Sequence, residues 1–363
     1  MKARILFTPG VQGVRRENMN KTRYSEKSLL CSYDLSLKFF DELGIKINDI
    51  VPLRKVFVIS TDEGDKILKR VNYDVDRINL ISDSLDYVKK SYDNVITYNK
   101  FKDNLSYKKW KDHIYIVMDI LDGREASFSN PVEINLCAEN ISLMHKASKG
   151  LREYLKDKYN KDFLDISLKD KIKKAHDDLI WMKDLVNSYK YKNKFDQLFI
   201  NNVDKYLSEI QEVQEELEKS KYDALREAGD TICLCHNDLA YHNFLTKNNE
   251  ISIIDFDFMT IDLRIIDIGD FILKAIKNAA FDIDKTLTCI NGYENISTLK
   301  QEEKELLNIL IKFPKDFYTI SRDYYYKRKK WDYEVYLNRF ETKLNNEDFR
   351  YEFLKAYKDK FLV

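Results

Sequence analysis

Glycine and proline are scarce in this sequence: nine and four among 363 residues, where the two make up about 12% of an average chain. That scarcity excludes collagen-like, linker-rich and low-complexity chains. It also leaves few glycines from which a phosphate-cradling loop could be built. Net charge is missing as well, since 61 basic side chains balance 61 acidic ones. A chain without a global basic footprint gives no electrostatic reason to expect nucleic acid as a partner, and the local run Tyr325–Lys330 (YYKRKK) reads as a solvated helix face. The apolar runs are short, well below the ~20 residues of a membrane-spanning helix, and MKARILFTPG lacks the apolar stretch of a secretory signal. Neither secretion nor a membrane partner is expected. The five cysteines, at 31, 137, 233, 235 and 289, contain no CxxC pair and read as reduced, mostly buried thiols of an intracellular protein.

What is present is ample. Hydrophobic residues make up 44% of the chain and charged residues 34%, with 24 Tyr and 20 Phe, enough to fill cores beneath a heavily solvated surface. The length exceeds a single ordinary core and suggests two or three lobes. Residues 1–28 are polar and weakly patterned and read as an N-terminal arm. Residues 29–43 space apolar groups at three and four, which predicts a short helix ending at Gly44. KVFVIS (55–60) and KILKRV (66–71) flank a turn with Gly64 and read as an antiparallel hairpin. A helix is predicted over 74–90, then strands over 94–99 and 113–119 around a lysine-rich turn. From Pro131 onward helices dominate, including one long segment over 195–228. The helical run is broken once, over 231–259.

The break carries the chemistry: His236-Asn237-Asp238-Leu239-Ala240-Tyr241-His242-Asn243, a turn, then Ile253-Ile254-Asp255-Phe256-Asp257. An apolar strand delivers a polar loop, and a second strand ends in two acids. In-line phosphoryl transfer needs a carboxylate to orient or deprotonate the attacking group and oxygen ligands to hold Mg²⁺ against nucleotide phosphates. Asp238 suits the first role, and Asn243 with Asp255 the second. An isolated loop aspartate is more often a turn former; the argument rests on the set.

The pattern H-x-D-x4-N followed by hydrophobic-D-x-D, behind a β-rich segment with a strand lysine, resembles the aminoglycoside phosphotransferase and choline kinase superfamily over roughly residues 30–340. The resemblance implies an α+β, protein-kinase-like two-lobe fold: a small β-rich lobe with one helix over 29–120 and a large, mainly helical lobe over 121–363. It implies ATP and Mg²⁺ as cofactors, Asp238 as the catalytic aspartate, and Asn243 and Asp255 as metal ligands. Asp257 is then either a second acid near the metal or a turn carboxylate. His236 and Asp267 would support the loop, the latter opening a helix and bonding back to it. Lys69 would meet the α and β phosphates, whereas Lys66, three residues earlier on the same strand, faces the other way. The backbone of Asp119, Ile120 and Leu121, within 117–121, would meet the adenine. Two features depart from the pattern: the nucleotide loop Leu53-Arg54-Lys55-Val56 has no glycine, and the helix at 74–90 offers only Asp76, Asp83 and Asp86 where a glutamate normally pairs with the lysine.

Within the superfamily, HNDLAYHNF, IIDFDF and the following D-x4-D are most similar to the CotS-type spore coat proteins of endospore-forming Firmicutes. That resemblance implies a component or associate of the coat of a developing spore, with other coat proteins as partners and ATP-dependent phosphotransfer as its chemistry. The alternative is a cytoplasmic Mg-ATP-dependent kinase, similar to aminoglycoside, choline or homoserine kinases, acting on a hydroxyl or amine of a small acceptor. Tyr324, Tyr325, Tyr326 and Trp331 suit either an aromatic cage for a cationic acceptor or core packing, and a tyrosine-rich surface would suit cross-linking in a coat.

Overall fold

The computed structural model describes residues 33–362; the arm expected over 1–28, and Cys31, lie outside the described residues. The chain forms two compact units, one running to Asp162 and taking up Ala240–Met259, the other made of Phe163–Leu239 and the chain from Thr260 onward. Elements are numbered in chain order.

In the first unit, α1 (Leu37–Leu43) starts at Ser36, whose hydroxyl accepts from the Phe39 amide, and stops at Gly44 in the left-handed region. Within the described residues the predicted helix therefore starts at Leu37, after a cap. Strands β1 (Ile47–Leu53), β2 (Val56–Thr61), β3 (Gly64–Val71), β4 (Lys108–Trp110) and β5 (His113–Asp119) form an antiparallel sheet in the order β1-β2-β3-β5-β4. Strand β1 has no clear alternation and contains Pro52, which an edge strand tolerates. Phe57, Ile59, Leu68, Tyr115 and Val117 line one face and pack on Phe39, Phe40 and Leu43 of α1. Lys69, opposite Ile116 and adjacent to Leu68, projects from the other face. Residues 94–99 are not a strand. Val95 and Tyr98 make single bridges, and the place beside β5 goes to Lys108–Trp110, which a tight turn at Lys111-Asp112 holds in register. Helix α2 (Val75–Lys89) is capped by Asp74.

Strands β6 (Arg124–Glu125), β8 (Phe244–Lys247) and β9 (Glu250–Ile253) form a second sheet in this unit. Its β8–β9 hairpin closes through Asn248-Asn249, both at positive φ, as a two-residue turn requires. Gly123, at φ 148, lies where an added Cβ would meet the Thr246 carbonyl at 3.1 Å; only glycine lets β6 approach β8 so closely. Helix α3 (Pro131–Ala147) packs on β9, and α4 (Leu151–Tyr159) follows.

The second unit is mainly helical. Helices α5 (Leu168–Asn187) and α6 (Lys194–Lys219) pack together, and the stripe Phe195, Phe199, Val203, Ile210, Val213, Leu217 is buried. The long segment expected over 195–228 is two helices, because Ser220 leaves helical backbone before α7 (Tyr222–Glu227). Strand β7 (Ile232–Cys235) pairs antiparallel with β10 (Thr260–Leu263), not with β9. Then come α8 (Arg264–Ile276), α9 (Ile283–Glu294), α10 (Gln301–Lys312), α11 (Lys315–Tyr325), α12 (Tyr333–Asn345) and α13 (Glu347–Phe361). No helix among the described residues is long and apolar enough to cross a membrane.

Candidate active site

In the first unit the chemistry collects around the end of the β8–β9 hairpin. Phe244 pairs with Ile253, and the Ile254 amide donates to the Asn243 carbonyl at 3.0 Å, so Asn243 and Asp255 flank the same open end. Asn243 is buried, at 2% exposure. Asp255 adopts φ 68, ψ 64, a left-handed conformation that costs a non-glycine residue free energy and is commonest where function demands it. Lys69 Nζ lies 2.7 Å from a carboxylate oxygen of Asp255 and 2.7 Å from one of Asp257. Burial disfavours the Lys69 ammonium, but the two carboxylates outweigh it and hold its pKa above the ordinary lysine value.

Asp257 has further partners. The Tyr73 hydroxyl donates to it at 3.1 Å and lies 3.2 Å from the Tyr98 hydroxyl; burial first, then these neighbours, push the Tyr73 pKa well up. Arg77 of α2 donates to the backbone carbonyls of Asp257 and Met259. Helix α2 is therefore tied to the acidic segment by an arginine. Two of its three acids are committed elsewhere: Asp83 pairs with Lys158 and accepts from Tyr159, and Asp86 pairs with Lys100. Asp119, Ile120 and Leu121 leave the sheet at the end of β5; the Asp119 side chain takes Lys66 at 2.8 Å and Asn99 at 3.0 Å, and the Ile120 amide donates to the Asp65 carbonyl. Lys66 and Lys69 thus point to different partners, as their spacing requires. At the glycine-free β1–β2 turn Arg54 sits at φ 54 and forms an ion pair with Glu125.

In the second unit, β7 delivers His236, Asn237, Asp238 and Leu239. His236 is fully buried, and its Nδ1 accepts from the Asp238 amide at 3.1 Å, which puts the ring proton on Nε2 when the imidazole is neutral. Asp267, in the first turn of α8, accepts from the amides of His236 and Asn237 at 2.9 and 2.8 Å. Asn237 has φ 61, and its side-chain amide donates to Thr260. Asp270 accepts from the Leu239 amide at 3.1 Å. Burial opposes its charge, but Lys315 and Lys274 hold its pKa below the usual carboxylate value. Lys274 forms an ion pair with Asp238 and lies 2.8 Å from Asp270.

The sequence-selected residues therefore fall into two sets: Lys69, Asn243, Asp255 and Asp257 in one unit, and His236, Asp238 and Asp267 in the other. Tyr73, Arg77, Asp270 and Lys274 escaped the sequence reading. The (i, i+3) and (i, i+7) spacing of Asp270 and Lys274 from Asp267 was the available signal for two of them. The aromatic cage does not form: Tyr324 stacks on Phe195 at 3.9 Å, Tyr325 donates to Asp196, Tyr326 to Asp178, and Trp331 lies against Tyr336. Cys233 and Cys235 face each other at 3.8 Å, both buried and neither in a disulfide. Among the described residues no three His, Cys, Asp or Glu side chains are grouped to hold a metal by themselves.

The chain is 22% identical over 310 residues to spore coat protein S of Bacillus subtilis, covering 83% of this chain and 86% of that protein. Among solved structures it is similar to an aminoglycoside phosphotransferase from Alicyclobacillus acidocaldarius, with a TM-score of 0.74, 17% identity and coverage of 92% of this chain and 96% of the other. It is also similar to spectinomycin phosphotransferase in complex with ADP and spectinomycin, with a TM-score of 0.64, 16% identity and coverage of 88% and 96%. These likenesses establish an α+β, kinase-like fold. The sequence pattern of the choline/ethanolamine kinases matches residues 121–312, more than half of the chain, and the protein belongs to the choline/ethanolamine kinase family.

Proposed function

We propose that the protein is a phosphotransferase associated with the spore coat, passing the γ-phosphoryl group of ATP to a hydroxyl or amine of a small acceptor. The observation that carries the chemistry is Lys69, held 2.7 Å from both Asp255 and Asp257. A half-buried lysine gripped by two acids, one of them in left-handed backbone, is more than a scaffold requires. The coat assignment is carried by the similarity to spore coat protein S.

Asn243, Asp255 and Asp257 offer hard oxygen donors, the chemistry Mg²⁺ selects, and too few of them to complete its shell without phosphate oxygens. Bound there, Mg²⁺ would neutralise charge on the phosphates. Lys69 exchanges part of its carboxylate pairing for the α and β phosphates, and the backbone of Asp119, Ile120 and Leu121 receives the adenine. The acceptor oxygen or nitrogen forms a bond to the γ-phosphorus as the bond to the β–γ bridging oxygen breaks, ADP leaves with that oxygen, and Asp238 takes the acceptor proton. His236 and Asp267 hold the Asp238 loop. Without glycine at Leu53–Val56 the phosphates rely on Lys69 and the metal, so nucleotide affinity is expected to be weak.

Thermal-shift and calorimetric titration with Mg-ATP tests this reading. Wild type should be stabilised and Asp255→Ala should not respond; a wild type that ignores millimolar nucleotide overturns the transferase. A tagged copy followed through sporulation should collect at the developing spore, and a signal confined to vegetative cytosol overturns the coat assignment.

A further inference from the structure

Asp257 is held from three sides, and two of the holds come from α2 and the residue just before its cap. Lys69 Nζ meets the Oδ2 oxygen at 2.7 Å, whereas the Tyr73 hydroxyl donates to the other oxygen, Oδ1, at 3.1 Å. Arg77 grips the backbone, donating to the carbonyls of Asp257 and Met259 around the short turn Phe256–Phe258. Tyr73 has one proton to give. It goes to the Asp257 carboxylate, so in the 3.2 Å contact between Tyr73 and Tyr98 the Tyr98 hydroxyl is the donor. Tyr98 is itself fixed: it is buried, it bridges to Met118, and the neighbouring Asn99 amide donates to the Val117 carbonyl at 2.7 Å. Burial first of all pushes both phenols up in pKa, which keeps them donors at neutral pH.

The Asp257 side chain is 24% exposed, so water could satisfy Oδ1, and a relay of two phenols is not needed to solvate it. What the relay adds is direction. A carboxylate turns easily about its last torsion; fixed at one oxygen, it presents the other along a set line. When Lys69 turns to the nucleotide phosphates, Asp257 loses the hold on Oδ2 and keeps the other two, Tyr73 on Oδ1 and Arg77 on the backbone. Groups that orient a metal ligand without touching the metal change metal affinity by about 10–100-fold when removed.

We propose that Tyr73, backed by Tyr98, is a positioning residue for Mg²⁺ binding: it holds Oδ1 of Asp257 so that Oδ2, the oxygen Lys69 gives up, is offered to the metal. The inference rests on the transferase reading, and it makes Asp257 a metal ligand and not a turn carboxylate. Arg77 keeps the turn that carries Asp257 in place during the exchange. The start of α2 thus serves the metal side of the site through a phenol and a guanidinium.

The test is calorimetric titration of the full chain with ATP, once with excess Mg²⁺ and once in EDTA, on wild type, Tyr73→Phe, Tyr98→Phe, Asp257→Ala and the double variant Tyr73→Phe/Asp257→Ala. Tyr73→Phe keeps the ring and removes only the donor. It should bind Mg-ATP about tenfold more weakly than wild type and metal-free ATP equally well. Tyr98→Phe, which removes the donor behind Tyr73, should lose Mg-ATP affinity in the same direction and by less, and it stands as the second probe should Tyr73→Phe fail to fold. In the Asp257→Ala background Tyr73→Phe should cost nothing further, because the oxygen it holds is gone. A purely structural tyrosine predicts otherwise: equal losses with Mg²⁺ and in EDTA, or losses that add to those of Asp257→Ala, overturn the inference. So does a wild type that binds ATP no better with Mg²⁺ than in EDTA. Mg-ATP binding that is unchanged in both tyrosine variants sinks the positioning role alone and leaves the transferase, whereas a wild type that binds no nucleotide sinks both.

Discussion

Lys69, Asp257, Tyr73 and Arg77 form one polar cluster in which each member satisfies another. Lys69→Met should cost about 1–3 kcal/mol, because two partly exposed carboxylates would lose a charge-assisted partner; chemical denaturation measures the loss, and the Mg-ATP response should vanish with it. Arg77→Met removes donors to the Asp257 and Met259 carbonyls and should cost about 1–3 kcal/mol, read in the same way. The spacing of His236, Asp238, Asn243 and Asp255 was legible because loop and hairpin are local in sequence. Tyr73 and Arg77 were not, since their partners lie 180 or more residues away and an isolated Tyr or Arg carries no such signal. The same distance explains why the sequence left the carboxylate partner of Lys69 open: the lysine takes its charges from Asp255 and Asp257.

Periodicity located most elements, and local chemistry set their ends. Gly44, Asp74 and Pro131 mark boundaries because caps act within one turn. Pairing was less legible. Strand β1 has too little alternation to announce itself, and residues 94–99 look like a strand but yield the sheet edge to a shorter segment with a better turn. Gly123→Val is predicted to disrupt the β6–β8 approach at 3.1 Å and to destabilise by about 2–4 kcal/mol, measured by thermal unfolding. Gly64→Ala meets no neighbouring atom; its cost, from positive φ alone, should be about 1 kcal/mol.

Across the whole chain, stability should fall in acid. Glu133 is held down from about 4.5 to about 2 by Arg124; burial opposes this, and the Ser127 amide and Asn130 assist. Asp270 is also depressed. A depressed carboxylate stabilises the fold fully above its unfolded value, and that contribution disappears as pH falls through the folded value. Melting temperature should therefore be level from pH 7 to about pH 5 and fall below that, with a shallower fall in Glu133→Gln. The tyrosines do not make a reactive coat surface: among those described only Tyr191 and Tyr241 are exposed, and aromatic content serves the cores. The sequence by itself determined the family motif, the two strand-loop segments that carry it and the helical character of the C-terminal hundred or so residues, because these depend on residues within a turn or a hairpin of one another. Only the tertiary structure decided that Asp257 joins Asp255 on Lys69 and that Lys274 sits on Asp238. Those outcomes depend on burial and on charges brought together from distant parts of the chain, and neither is written in any local pattern.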